Sequence, residues 1–139
     1  MKIIIKITGK PIAKKRPRFA RRGKFVAVIN DQETEEGRFF WELKNQFKNP
    51  PFEKALVVRM WFYMPIPKSL SQKKRAQIEQ GLIPHTKKPD IDNLQKFAFD
   101  CCNGVIWKDD SQIISVKADK LYSDIPQTEI YIEEVETTT

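Results

Sequence analysis

The sequence predicts a single small α+β domain over residues 1–139, a mixed β-sheet with helices packed on it. Three observations lead there. The 139 residues suffice for one hydrophobic core and leave little for a second. Runs rich in β-branched and aromatic residues recur at 2–8, 24–29, 56–64, 113–122 and 128–135, and segments between them carry apolar residues at helical spacing. The strands and helices do not follow a regular β-α-β alternation, which argues against a purely parallel α/β sheet.

Taken in order, Lys2 to Thr8 is isoleucine-rich and reads as a strand that stops at Gly9. Pro11 to Arg22 is basic and punctuated by proline, and reads as an exposed turn or extended loop. Lys24 to Ile29 reads as a second strand. Asn30 with Glu33 three residues on resembles a capping box, and Phe40, Leu43 and Phe47 follow at helical spacing until Asn49-Pro50-Pro51 stops the helix. Leu56 to Met64, with Val57, Val58, Trp61, Phe62 and Tyr63, has the composition of a central strand. Ser69 or Ser71 can cap a short polar helix over 72–80, closed by Gly81. Pro89 opens the next helix, whose apolar stripe is Ile91, Leu94, Phe97, Ala98 and Cys101 and whose stop is Asn103-Gly104. Two strands close the chain, Ile113 to Tyr122 and Thr128 to Val135, with a turn at Ser123–Pro126.

Charge and composition narrow the function classes. The net charge is +7, and residues 1–30 hold ten Lys or Arg and no acid, so the rest of the chain is slightly acidic. A surplus gathered in one arm is the footprint of a polyanion partner, and Lys14, Lys15, Arg16, Arg18, Arg21 and Arg22, with Lys87 and Lys88 further on, are the candidate phosphate contacts. The arm has no helical apolar face, which disfavours a membrane surface. No run approaches a signal core or the ~20 apolar residues of a membrane span, which points to the cytoplasm. Cys101 and Cys102 are adjacent, without the spacing of a zinc site or a disulfide framework, so buried reduced thiols are expected. With His85 the single histidine, zinc-hydrolase and Ser-His chemistry have almost nothing to use.

Against that basic background the acidic residues of 87–111 stand out. Asp90 and Asp92 lie two apart where the chain turns into a helix, and Asp110, with Asp109 beside it, follows in the loop before the next strand. Hard cations such as Mg²⁺ take oxygen ligands, one or two from carboxylates and the rest from water and phosphate. A metal held there could polarise a phosphodiester and lower the pKa of attacking water. Lys96 shares the helix face of Asp92, four residues on, and could neutralise charge developing on a phosphoryl group. Plainer readings stand beside this one: Asp90 as an N-cap, Asp92 as a complement to the helix dipole, Asp109-Asp110 as a turn, Lys96 as a surface ion pair, and Asp100 as a partner for Lys96. Of the adjacent pair, Asp110 is preferred over Asp109 as the metal ligand. His85 reads as a loop histidine with no chemical task, or else as a group that orients a phosphate.

The run Lys88-Pro89-Asp90-Ile91-Asp92-Asn93-Leu94-Gln95-Lys96, followed by Asp100, Asn103-Gly104-Val105 and Trp107-Lys108-Asp109-Asp110-Ser111-Gln112, resembles the RusA family of Holliday-junction resolvases. The close match covers roughly residues 85–113, and the order of elements elsewhere is compatible. The approach His85-Thr86-Lys87-Lys88 and the polar helix before it depart from the family pattern. The resemblance implies a RusA-like fold and a small homodimeric endonuclease, in a family mostly of phage or prophage origin. It implies Mg²⁺ as cofactor and four-way junction DNA as substrate, cut by paired nicks in strands of like polarity during recombination and repair. It also implies Asp90, Asp92 and Asp110 as the catalytic and metal-binding carboxylates and Lys96 as the essential lysine. Two other readings are open: a metal-dependent nuclease acting on other branched DNA, and a non-catalytic DNA-binding relic.

Overall fold

A central four-stranded sheet carries the core of the chain, which was obtained as a computed structural model describing residues 1–15 and 33–136 in full and, between them, the backbone of 18–22 and 25–29. The elements are β1 (Lys2–Thr8), β2 (Arg18–Arg22), β3 (Phe25–Ile29), α1 (Glu33–Gln46), β4 (Leu56–Pro65), α2 (Gln72–Glu79), α3 (Ile91–Cys102), β5 (Ile113–Ser123) and β6 (Gln127–Glu134), with a single 3₁₀ turn at Asp110–Gln112. The sheet order is β1-β6-β4-β5: β6 is antiparallel to both its neighbours, and β4 and β5 are parallel. The expected α+β class and mixed sheet are what is found.

Period-2 alternation decides which side of the sheet is the core. Leu56, Val58, Met60, Phe62 and Met64 of β4 are buried, while the residues between them are half-exposed on the opposite face. Ile5 and Ile7 of β1, and Ile130 and Ile132 of β6, join them, with the helical stripes Phe39-Leu43-Phe47 and Leu94-Phe97-Ala98-Cys101 closing one cluster. Phe39 meets Phe97 edge-on at 5.5 Å between ring centroids. Two stripe residues differ from the sequence reading. Phe39 replaces Phe40 as the buried start of the α1 stripe, since 39, 43 and 47 keep strict i, i+4 spacing. Ile91, in the first turn of α3, is exposed rather than buried.

Other differences have local causes. Part of the stretch read as a loop, Arg18–Arg22, is a strand paired antiparallel with β3. The hairpin is hidden in the sequence because three of the five residues are arginines, in place of the β-branched and aromatic types that mark strands. Asn30, the expected capping residue of α1, lies outside the described residues. Pro89 precedes α3 by two positions, and Asp90 rather than proline stands at the helix boundary. Beyond α3, Ile106 and Trp107 are buried, with Trp107 bridged to Phe52 and its indole N–H donated to Asn103 Oδ1 at 2.6 Å. The polar helix α2 is capped as expected, by Ser71 accepting from the Lys74 amide.

The last two strands, joined by Asp124-Ile125-Pro126, do not pair with each other, because β4 runs between them. Strands two places apart in a sheet are separated by about 10 Å, within reach of three extended linking residues. The path is clear because Pro65 and Pro67 end β4 at that level.

Candidate active site

The start of α3 is held from below by the sheet. Lys120 of β5 donates to the carbonyls of Lys87 (2.7 Å) and Pro89 (2.9 Å), anchoring the segment on either side of the cis Lys88–Pro89 bond. Asp90 follows at the helix-capping position with extended backbone (φ −69°, ψ 144°), yet its carboxylate makes no capping bond and is exposed. Asp92, in the first turn, is also exposed and accepts the Asn93 amide at 2.9 Å. Both negative charges sit where the helix dipole favours them. Lys96 is exposed one turn further along.

At the other end of α3 the chain passes Asn103 and Trp107 and reaches the 3₁₀ turn. Asp109 caps it: its carboxylate accepts the Ser111 amide at 3.0 Å, and the Gln112 side chain accepts the Asp109 amide in return at 2.9 Å. The bonds from Ser111 hold the Asp109 carboxyl below the ordinary range. Gln112 also donates to the carbonyls of Phe52 and Lys54, fixing the turn to the chain just before β4. Asp109 therefore does the structural work, and the half-buried Asp110 carboxylate has no such task.

Asp90 and Asp92 lie close in sequence and space, but one chain does not bring Asp110 to them. Asp90 and Asp92 stand at the start of α3 and Asp110 lies beyond its end, and the helix of 12 residues rises about 18 Å. Among the described residues, no three His, Cys, Asp or Glu side chains converge to hold a metal. The donor chemistry still suits a hard divalent cation: Asp90 offers a carboxylate free of capping duty, and with Asp92 it makes the one or two carboxylates that Mg²⁺ usually takes.

The basic residues divide. Lys14 is turned inward, with its ammonium 3.2 Å from Asp100 and 3.8 Å from Glu36, and its amide bonds the Asn93 carbonyl. Asp100 is thus met by Lys14 and not by Lys96. Lys15 lines a cleft of about 530 Å³ together with Lys10, Arg38 and Pro89, which runs up to the start of α3. Lys87 and Lys88 are exposed immediately before Asp90. Arg16 and the side chains of Arg18, Arg21 and Arg22 lie outside the described residues. His85 meets the Tyr122 ring at a tilt of 58°, with ring centroids 4.7 Å apart, and is kept below its ordinary pKa first by burial and then by Lys120 and Lys87. Cys101 and Cys102 are free and buried, and burial pushes the Cys101 thiol up to about 12.

Sequence reasoning missed Lys120, whose partners lie more than 30 residues away and carry no local pattern. The role of Asp109 did have a signal, the Asp-x-x-Gln spacing of a capping box.

The chain is a small mixed-sheet domain with paired aspartates at a helix start and lysines beside them. Comparison with known proteins gives the family. The profile of endodeoxyribonuclease RusA matches residues 8–133, nearly the whole chain, and this chain belongs to that family. It is also similar to the uncharacterized protein YqaN of Bacillus subtilis (strain 168), with 34% identity over 133 residues that cover 93% of this chain and 94% of YqaN. No described helix is long and apolar enough to cross a membrane.

Proposed function

We propose that this chain is a Mg²⁺-dependent endodeoxyribonuclease that resolves four-way DNA junctions by paired nicks, acting as a homodimer in the cytoplasm during recombination and repair. The observation that carries the reading is the sparing of two carboxylates. Asp90 stands at a capping position without capping, and the 3₁₀ turn that begins at Asp110 is capped by Asp109. Carboxylates kept out of capping bonds, with Lys87 and Lys88 beside the first of them, suit oxygen ligation next to a phosphate.

Each group then has a task. The basic arm, the Lys10–Lys15–Arg38 cleft and Lys87-Lys88 hold the phosphate backbone and set the salt dependence of binding. Asp90 and Asp92 would hold the cation through carboxylate oxygens, and Asp110, which lies apart from them within one chain, would be the third carboxylate of the site. When bound, Mg²⁺ supplies Lewis-acid polarisation of the scissile phosphate and acidifies nearby water. Lys96 places a positive charge where the phosphoryl oxygens gain negative charge. In-line attack leaves a 5′-phosphate and a 3′-hydroxyl. A four-way junction has approximate two-fold symmetry, which a two-fold dimer matches with two equivalent sites.

The test is a cleavage assay on four-way junctions, flaps and plain duplex, with and without Mg²⁺, comparing wild type with Asp110→Asn. Junction cutting that requires Mg²⁺ and disappears in the variant is expected. Preferred cutting of flaps would reassign the substrate, and metal-independent cutting would remove the carboxylates from the chemistry.

A further inference from the structure

We propose that the face of the central sheet turned away from α1 and α3 is a platform for single-stranded DNA, with Trp61 and Tyr131 as stacking surfaces and Arg59 as a phosphate contact. The platform is separate from the carboxylates at the start of α3, and its existence does not rest on the nuclease reading.

The strand registers lay this face out residue by residue. Alternation on β4 buries Leu56, Val58, Met60, Phe62 and Met64 in one cluster with the stripes of α1 and α3. Arg59, Trp61 and Tyr63 point to the other side, where they are half-exposed. Level with Arg59 are Ile4 of β1, Tyr131 of β6 and Lys117 of β5; level with Trp61 are Lys6, Glu129 and Asp119. Among the described residues, Ile4 at 56% and Leu121 at 40% exposure mark this face as uncovered.

The aromatic rings are free to stack. Trp61 and Tyr131 are diagonal neighbours on adjacent antiparallel strands, a separation of about 7–8 Å. Neither ring packs on another ring among the described residues, whereas the core aromatics are paired. With Arg59 they line a hollow of about 420 Å³, a size in the range of small-ligand pockets. Open aromatic faces beside a cation are what successive unpaired bases and their phosphates require. A duplex keeps its base faces closed, so the arrangement favours a single strand.

The charges agree. Both acids of β6 on this face are matched in register by lysines of β1: Glu133 by Lys2 at 3.7 Å, and Glu129 by Lys6. Glu133 also accepts the Tyr131 hydroxyl at 2.8 Å. Arg59 has no carboxylate within ion-pair distance among the described residues, and its neighbour across β5 is a like charge, Lys117. Like charges at one level of adjacent strands repel, and a phosphate beside them removes that cost. Asp119, next to Trp61, is the acid left over, and it can accept from the exocyclic amino group of a stacked base. A second copy of the chain suits this face less well, because a two-fold contact would bring the same cations together.

Binding is measured in EDTA by fluorescence anisotropy, on a labelled single strand of about 12 nucleotides and on the matching duplex. Trp61→Ala should weaken the single strand roughly tenfold and leave the duplex unchanged, and Trp61→Phe, which keeps a ring, should recover most of the loss. Arg59→Gln should lower the slope of log affinity against log salt by about 0.7 for the single strand. Irradiation of a strand that carries 5-iododeoxyuridine should attach it to the peptide holding Trp61 or to that holding Tyr131. This last readout uses the wild-type chain and does not depend on a variant folding; a strand attached only to the basic arm would overturn the platform. Equal single-strand affinity of wild type, Trp61→Ala and Arg59→Gln would overturn it too. Loss of self-association in these variants at unchanged DNA affinity would instead make the face a contact between copies.

Discussion

Lys120→Met should uncouple folding from catalysis. The change removes two charge-assisted hydrogen bonds, of 2.7 and 2.9 Å, that hold the Lys87 and Pro89 carbonyls. Methionine keeps most of the apolar stem, so packing changes little. A hydrogen bond from a charged donor contributes ~1.5–3 kcal/mol, and the exposed Lys87 carbonyl regains water as its partner, so roughly 1.5–3 kcal/mol in total is the expected loss. For a domain of this size that lowers Tm by about 5–12 °C. The larger consequence is for chemistry. Freed from Lys120, the start of α3 can shift, and misplacing a reacting group by about 1 Å costs on the order of 10²-fold in rate. Junction cleavage at a temperature well below the lowered Tm should therefore fall by about two orders of magnitude, while junction affinity, read by gel shift, changes little. Lys117→Met, on the opposite face of the same strand, is the control and should do neither. A Lys120→Met protein that melts and cuts like wild type would show that the anchor does not position Asp90.

Three further outcomes are expected. Asp92→Asn should abolish cleavage yet keep or strengthen junction binding, because it removes negative charge beside the phosphate; loss of binding with retained cutting is the refuting result. Asp109→Ala should lower Tm at neutral pH and leave more activity than Asp110→Asn, since Asp109 caps and Asp110 does not. The Asp109 carboxyl is held below its ordinary 3.8, so its stabilising effect is complete above that value and declines as pH falls through the lower folded value; the melting curves of Asp109→Ala and wild type should converge in acid. Replacing Arg16, Arg18, Arg21 and Arg22 together by Gln should weaken junction binding and flatten the plot of log affinity against log salt by roughly 0.9 for each phosphate no longer neutralised; an unchanged slope would move the DNA surface elsewhere.

Much of this molecule can be read from its residues, and the exceptions share a cause. β4 is plain because its composition is that of a strand with neighbours on both sides, and α3 is plain because Leu94, Phe97, Ala98 and Cys101 repeat at helical spacing. Pattern acts locally there. β2 is hidden because cations outnumber apolar residues in Arg18–Arg22, and its pairing with β3 is a relation between segments. The passage of β4 between β5 and β6 is likewise a fact of topology with no sequence period. At the site, the motif locates Asp90, Asp92, Lys96 and Asp110 in the chain, but adjacency within a motif does not measure distance in space. Asp90 and Asp92 stand at one end of α3, and Asp110 follows after its other end. Lys14 and Asp100 show the same limit, since their ion pair joins segments that no local rule connects.

The threading of β4 between the last two strands bears on how the protein is made. β4 is synthesised near the middle of the chain, but both its sheet partners lie after residue 112, and β1 has β6 as its sheet neighbour. A chain that stops at Pro126 already contains every candidate catalytic residue, yet lacks the strand that joins β1 to β4. β4 and β5 can pair before β6 is made, but the four-stranded sheet is joined only when β6 enters between β1 and β4, and such long-range pairing folds slowly. A chain that ends before β6 therefore lacks the strand that ties β1 to the β4–β5 pair, and the scaffold that carries the candidate site is left open.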